Sequence, residues 1–308
     1  MSKILVTAKV NPDLDGTSCM LAYAELLRRK GEDAEGVVSG EPQSKTKYFI
    51  EKQGIKIPQR NDDTFSNWQK FILVDASSMK GMPQCVSAEN VLEIIDHRKG
   101  EPEKEFPQAK IQNDLIGAAA TIVVERYIKA NDKPLPEHAK LLYGAIFHNT
   151  LNFLATNSSE RDKEAVNFLE KEFSLDKTII KEMFDYSTQE IKKDILQALE
   201  NDAKEFGSGW KIGAYQLIVW GDDILKDKAL VRSYVKDLAV KLGADWSFLN
   251  VINLDTAESI LFATNTEAEQ ILSKALGAVF TNGVSVLPRV LLRKQIMPKV
   301  NEVINLAK

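Results

Sequence analysis

The sequence predicts an α/β protein: a mainly parallel, doubly wound sheet with helices on both faces, then a smaller C-terminal α/β domain. Short apolar runs alternate with amphipathic stretches through the first half, the pattern of strands joined by helical crossovers. At 308 residues the chain is long enough for two domains of ~150 residues each. From Trp210 the pattern changes to strands that include a hairpin.

Ile4–Thr7 reads as a buried strand, followed by the polar turn Asn11-Pro12-Asp13. Residues 17–30 read as a helix, with Cys19, Met20, Tyr23, Leu26 and Leu27 near helical spacing. A second apolar run, 71–74, ends at Asp75, and a third, 91–95, ends at Asp96-His97. Helices rich in small and apolar residues are expected at 117–128 and 140–147. The charged stretch 174–202 has a helical pattern and reads as a connector. A strand at 212–220, a helix at 230–242, a hairpin of 248–254 with 259–264 and a short helix at 268–276 follow, and the basic segment 289–299 closes the chain. The expected domains are 1–188 and 203–308, joined by a helical connector at 189–202.

Forty Lys and Arg against 44 Asp and Glu leave a net charge of −4, so no bulk positive field points to nucleic acid or anionic lipid. Cys19 and Cys85 stand in no metal-type or redox-type spacing, and His97, His138 and His148 are the whole histidine complement. Any metal site must therefore be built mainly from carboxylates. The apolar run after Met1-Ser2-Lys3 is too short for a signal-peptide core, and no stretch approaches the ~18 apolar residues of a membrane span. The expected location is the cytoplasm, with no membrane partner.

In open parallel sheets, ligands sit outside the carboxyl ends of the strands. Three strand-like runs here end in acids: Asp13 and Asp15 after the first, Asp75 after the second, Asp96 after the third. One such Asp is usually a turn former, but a cluster on one edge suits Mg²⁺ or Mn²⁺. Asp13 and Asp15 lie two apart in a turn; the competing reading is a helix start that Asp15 caps. Asp96-His97-Arg98 joins an imidazole and a carboxylate to a guanidinium able to hold phosphate oxygens, or is an exposed strand end. His148 is either a ligand or hydrogen-bonded structure. Lys204 and Arg293-Lys294 either clamp an anionic substrate or are solvated charges. The chain has no P-loop, no His-Glu-x-x-His and no Gly-x-Ser-x-Gly elbow, and Gly207-Ser208-Gly209 precedes a strand rather than opening a helix.

Taken in order, these pieces resemble the DHH phosphoesterase superfamily, and within it the manganese-dependent (family II) inorganic pyrophosphatases. The resemblance runs through Lys9-Val10-Asn11-Pro12-Asp13-Leu14-Asp15, Val74-Asp75, Asp96-His97-Arg98, Gly117-Ala118-Ala119-Ala120-Thr121, His148-Asn149-Thr150 with the segment Thr156 to Asp162, Asp202-Ala203-Lys204-Glu205-Phe206 and Arg293-Lys294-Gln295-Ile296-Met297-Pro298. It implies a DHH-type domain and a substrate-gripping domain with the active site in the cleft between them. It also implies one or two divalent ions, pyrophosphate or another phosphorylated small molecule as substrate, and a homodimer paired through the first domain's sheet edge.

The departures from that pattern are specific. By resemblance one metal is held by a histidine, replaced here by Lys9, together with Asp13 and Asp75. The other is held by Asp15, Asp75, His97 and an aspartate replaced here by Asn149. Arg98 stands where a phosphate-contacting histidine is expected, and the basic tail is altered at Leu291-Leu292-Arg293-Lys294-Gln295. The carboxylates of Asp13, Asp15 and Asp75 then balance one divalent cation plus the Lys9 ammonium. The resulting expectation is a one-metal phosphohydrolase with Lys9 standing in for the second ion. Asp13, Lys9 and Arg98 are its catalytic candidates, and Arg98, Lys204, Arg293 and Lys294 its substrate-binding ones. The alternative is a catalytically silent protein that binds a phosphorylated ligand as a sensor or regulator.

Overall fold

The computed structural model describes residues 3–60, 68–207, 210–221 and 225–306. Ser208 and Gly209 lie outside the described residues. The contacts divide the chain into two compact units, Met1–Phe153 with Asn157–Met183, and Leu154–Thr156 with Phe184–Lys308.

The first unit contains β1 (Ile4–Thr7), α1 (Leu14–Arg29), β2 (Ala34–Gly36), β3 (Val38–Ser39), α2 (Ser44–Lys52), β4 (Gln59–Arg60), β5 (Lys70–Val74), β6 (Val91–Asp96) and β7 (Lys110–Asn113). It continues with α3 (Ala119–Lys129), α4 (Pro136–Asn149), α5 (Glu160–Glu172) and the start of α6 (Thr178–Lys193). Five strands form one sheet in the order β2-β1-β5-β6-β7, every pair parallel. β1 is buried at all four positions and β5 at its last four, as branched and aromatic side chains in an inner strand require. The direction of winding reverses at β1, which has β2 on one side and β5 on the other. The crevice at the carboxyl ends of β1 and β5 is therefore the topological switch point.

α1 starts three residues before the helix expected at 17. Asp13 is its N-cap, accepting from the Gly16 amide at 3.0 Å, and Asp15 lies in the first turn. Asp15 is thus not the cap that the sequence allowed it to be. Arg28 and Arg29 in the last turn complement the helix dipole. Residues Leu14 to Leu26 are all buried, so α1 is an interior helix, with α3 and α4 packed on it. The sheet face carrying Leu5, Phe71, Leu73 and Ile94 packs against Trp68, Met82, Val86 and Phe106.

The second unit takes the rest of α6, then α7 (Ile195–Asp202), β8 (Lys204–Gly207), β9 (Lys211–Val219), α8 (Lys228–Leu242), β10 (Trp246–Asn253), β11 (Glu258–Ala263), α9 (Thr266–Leu276), β12 (Val284–Leu287) and α10 (Arg293–Leu306). Its sheet order is β12-β11-β10-β9-β8. β9 and β10 are parallel, and the expected hairpin appears as β10 and β11, with Phe248 opposite Ala263. The segment read as a helical connector contains α7 and the end of α6. Leu199 of α7 is fully buried against Tyr215 and Leu217 of β9, which makes α7 part of this unit's core. No described helix is long and apolar enough to cross a membrane.

Candidate metal centre

Asp15 leaves the first turn of α1 fully buried, and its partners explain how a charge survives there. Its Oδ2 accepts from the Ala119 amide at 2.9 Å and its Oδ1 from the Ala120 amide at 2.8 Å. These are unsatisfied amides of the first turn of α3, where the helix dipole favours an anion. Ala118, the N-cap of α3, offers no side-chain bond, and Asp15 supplies it from a different helix. Asp162 supports the same turn. It is fully buried and accepts from Gly117 N, Thr121 Oγ1, Ser159 N and Ser159 Oγ at 2.6–3.0 Å. Gly117 is required for that approach, since a Cβ there would lie 2.4 Å from Thr150 Cγ2 and 2.7 Å from Asp162 Oδ2.

Asp75 follows β5 in the left-handed region at φ +49°, while its amide still bonds Ile95 O at 2.8 Å. Aspartate tolerates that backbone better than most residues, and its occurrence at a strand end facing a crevice is typical of functional sites. Its Oδ1 lies 3.4 Å from His97 Nε2 and 3.0 Å from Arg98 Nη2. Neither approach has hydrogen-bond geometry, so this buried oxygen has no hydrogen-bond partner among the described residues. His97 points Nδ1 at Ile116 O, 3.1 Å away, and Nε2 at the carboxylates, with Asp15 Oδ2 at 3.7 Å. A backbone carbonyl that takes the Nδ1 proton leaves the Nε2 lone pair free, the arrangement that prepares a histidine to ligate.

Asp15, Asp75 and His97 each offer a ligand atom, all within 4.8 Å of one another. Two carboxylate oxygens and an imidazole nitrogen, one of the oxygens orphaned, fit a divalent cation of the Mn²⁺ or Mg²⁺ type. Burial and their mutual charge interactions shift the titration of all three groups. Burial, then the Asp75 charge, raise Asp15 to about 7, and burial with Asp13 raises Asp75. Burial works against a charged His97, but Asp75 and Asp15 outweigh it and bring the imidazole to about 9. A divalent cation held by Asp15, Asp75 and His97 would take the place of that proton.

Asp13 is half-buried and commits Oδ1 to the α1 cap. Asn149 meets Asp15 through Nδ2, which donates to Oδ2 at 2.6 Å, while its Oδ1 lies 3.2 Å from His148 Nδ1. The sequence expectation was an oxygen ligand; here Asn149 serves as a neutral donor on the carboxylate. Burial, reinforced by the Lys45 charge, lowers His148 to about 4 and keeps it neutral. Arg98 donates through Nε to Asp96 Oδ1 at 3.0 Å, and through Nη2 to Asp75 O. Lys9 behaves differently from its expected role. Its stem runs beside Gly81, and among the described residues its ammonium pairs with no carboxylate. The fixed cation on Asp75 is Arg98.

Arg293 also departs from expectation. Its side chain is buried, with guanidinium bonds to Asp202 Oδ1 at 3.2 Å, Asp202 O at 3.0 Å and Ala214 O at 3.0 Å. It anchors α10 to the second unit's own sheet. Lys204 and Lys294 are exposed, as solvated or substrate-binding cations both are. The sequence reading passed over the Ala119 and Ala120 amides, the Ile116 carbonyl and Lys45. Backbone partners leave no side-chain signal, although Ser159-x-x-Asp162 was a readable capping box.

Residues 3–146 match the family model described as "DHH family, N-terminal domain". A protein of Exiguobacterium sp. (strain AT1b), named a probable manganese-dependent inorganic pyrophosphatase, is 28% identical over 306 residues, covering 98% of this chain and 99% of the relative. A Bacillus licheniformis protein of the same name is 28% identical over 310 residues, with coverage of 98% and 99%. Among solved structures, a Methanococcus jannaschii chain assigned to the family II inorganic pyrophosphatases superposes with a TM-score of 0.66 at 21% identity, covering 98% of this chain and 99% of its own. An exopolyphosphatase-related protein from Bacteroides fragilis gives 0.52 at 13% identity, with coverage of 99% and 92%. The two superpositions establish the fold. Every strand of the parallel sheet, together with Asp15, Asp75 and His97, lies inside the residues that match this DHH-family N-terminal domain model.

Proposed function

We propose that the protein is a metal-dependent phosphohydrolase that cleaves pyrophosphate or a related phosphoanhydride or phosphoester, using one divalent cation. The observation that carries this reading is the trio Asp15, Asp75 and His97, with an orphaned carboxylate oxygen, at the switch point of the sheet. Full-length relatives named as manganese-dependent pyrophosphatases support both the substrate class and Mn²⁺ as the first ion to test, with Mg²⁺ second. A bound divalent cation supplies Lewis acidity toward a phosphoryl oxygen and acidifies water.

The chain's own groups have distinct parts. Asp15 and Asp75 hold the cation, and His97, fixed by Ile116 O, adds the nitrogen ligand. Asn149 positions Asp15 through its 2.6 Å bond. Asp13 has one oxygen bound at the α1 cap, and the other accepts the proton of the attacking water. Arg98 is 41% exposed at its side chain and its Nη1 has no partner among the described residues, so it presents a guanidinium to the phosphate while Nε and Nη2 keep it oriented. Lys9 adds positive charge for the anionic substrate rather than replacing a metal. Lys204 and Lys294 are the second unit's exposed anion-binding candidates.

One observation favours the silent phosphate-ligand binder instead: Asn149 and Arg98 already place protein donors on Asp15 and Asp75. Phosphate release from pyrophosphate, measured against added Mn²⁺ and Mg²⁺, decides between the two. Metal-dependent release abolished by Asp75→Asn supports the hydrolase. Metal binding without release from pyrophosphate, tripolyphosphate or a nitrophenyl phosphate ester supports the binder.

A further inference from the structure

The second unit contains a groove unrelated to the residues discussed so far. It lies between α8 and β12, encloses about 780 Å³, and is lined by Lys228, Arg232, Lys236, Ser233, Val284 and Val286 among others, with no acidic side chain among the described residues of its wall. That volume is within the range of small-molecule sites. The three cations stand at positions i, i+4 and i+8 of α8, so they share one helix face and span about 12 Å along it.

Arg232 is held rigidly. Its Nε donates to Ala263 O at 2.7 Å, and Nη2 lies 3.3 Å from Glu269 Oε1. Gly283, at φ +80°, leaves the space that the guanidinium fills, since a Cβ there would fall 2.0 Å from Arg232 Cζ. Lys228 and Lys236 are exposed and pair with no carboxylate among the described residues. The floor is apolar, with Val286 47% exposed on the edge strand of the sheet. β8, which carries Lys204, is the opposite edge of that sheet, so this row of cations is separate from the substrate candidate there.

We propose that this groove is a second anion site that binds a chain of phosphates. A row of cations spaced ~6 Å apart, in which Glu269 pairs with Arg232 alone, suits a linear polyanion better than a single phosphate. Two sources share that chemistry: an inorganic phosphate chain, and a nucleoside triphosphate whose organic body would lie on Val284 and Val286.

The test is calorimetric titration of the full chain, with chelator present, using tripolyphosphate and ATP separately. The double variant Lys228→Ala/Lys236→Ala should weaken binding by at least about tenfold. Ser233→Glu, which places an acid in the groove, should abolish binding. Lys299→Ala, which removes one positive charge elsewhere on the unit, should cost less than about twofold. All three variants change surface residues, and unchanged melting temperatures show that they fold. Equal affinity for the two anions assigns the site to the inorganic chain, and tighter ATP binding assigns it to the nucleotide. No binding of either anion, wild-type affinity in the double variant, or an equal loss with Lys299→Ala would overturn the proposal. Arg98→Ala should leave this binding intact, so the result is independent of the metal centre.

Discussion

At Asp75 a buried carboxylate oxygen sits 3.4 Å from an imidazole nitrogen and 3.0 Å from a guanidinium, without a hydrogen bond to either. A buried polar atom left in this way costs roughly 1–3 kcal/mol unless something else satisfies it. A divalent cation shared with Asp15 and His97 would do so. Asn149 bears on the same balance from the other side, because its amide gives Asp15 Oδ2 a neutral donor. Asn149→Asp would replace that donor with a second carboxylate 2.6 Å from a buried anion. We expect the metal-free variant to be destabilised by roughly 2–4 kcal/mol, with saturating Mn²⁺ recovering most of the loss. Denaturant unfolding with and without Mn²⁺ measures this, and equal stability without metal would show that the Asn149 contact carries little weight.

At the scale of elements, the centre depends on how α3 begins. Asp15 caps α3 from α1, Asp162 ties the preceding loop to α5, and Gly117 is the point where these chains come closest. Gly117→Ala should push this turn away from Thr150 and Asp162, cost roughly 2–4 kcal/mol, and weaken Mn²⁺ binding as well. Normal stability together with normal metal affinity would mean that the turn relaxes without moving Asp15. A second junction links α1 to α4. Burial opposes the charge on Glu25, but His138 at 2.5 Å, the Leu135 amide and Arg29 outweigh it and hold its carboxyl below the usual range. A lowered folded-state pKa gives stability that is present above the unfolded value and is lost as pH falls through the folded one. The melting-temperature gap between wild type and Glu25→Gln should therefore be widest near neutrality and close below about pH 4. A gap that widens on acidification would contradict the assignment.

On the scale of the whole molecule, the legible parts of the sequence were those with strong burial patterns. Ile4–Thr7, the run ending at Asp75 and the run ending at Asp96 were readable because inner parallel strands are mostly apolar, the last interrupted only by Glu93. β2 and β7 were not, since both are short edge strands and Lys110-Ile111-Gln112-Asn113 is only partly buried. α5 was missed because four residues of its thirteen are buried. In the centre, acids at strand ends marked Asp15, Asp75 and His97. The orientation of the Asn149 amide, the burial of Arg293 and the backbone partners of Asp15 depend on tertiary placement, which residue identity does not encode. Metal binding should also appear as a global property. Mn²⁺ at about 100 times its dissociation constant adds ~2.7 kcal/mol, raising the melting temperature of the unit carrying the site by roughly 5–10 °C. Asp75→Asn should remove that rise, and a rise that persists in the variant would place the ion elsewhere.

The most direct measurement is the number of Mn²⁺ ions bound per chain, counted by equilibrium dialysis for wild type, His97→Ala and Asp75→Asn. One tightly bound ion in the wild type and none in either variant is the result predicted from the trio of ligands. Two tightly bound ions, or one that survives both substitutions, would contradict a single-cation centre at Asp15, Asp75 and His97.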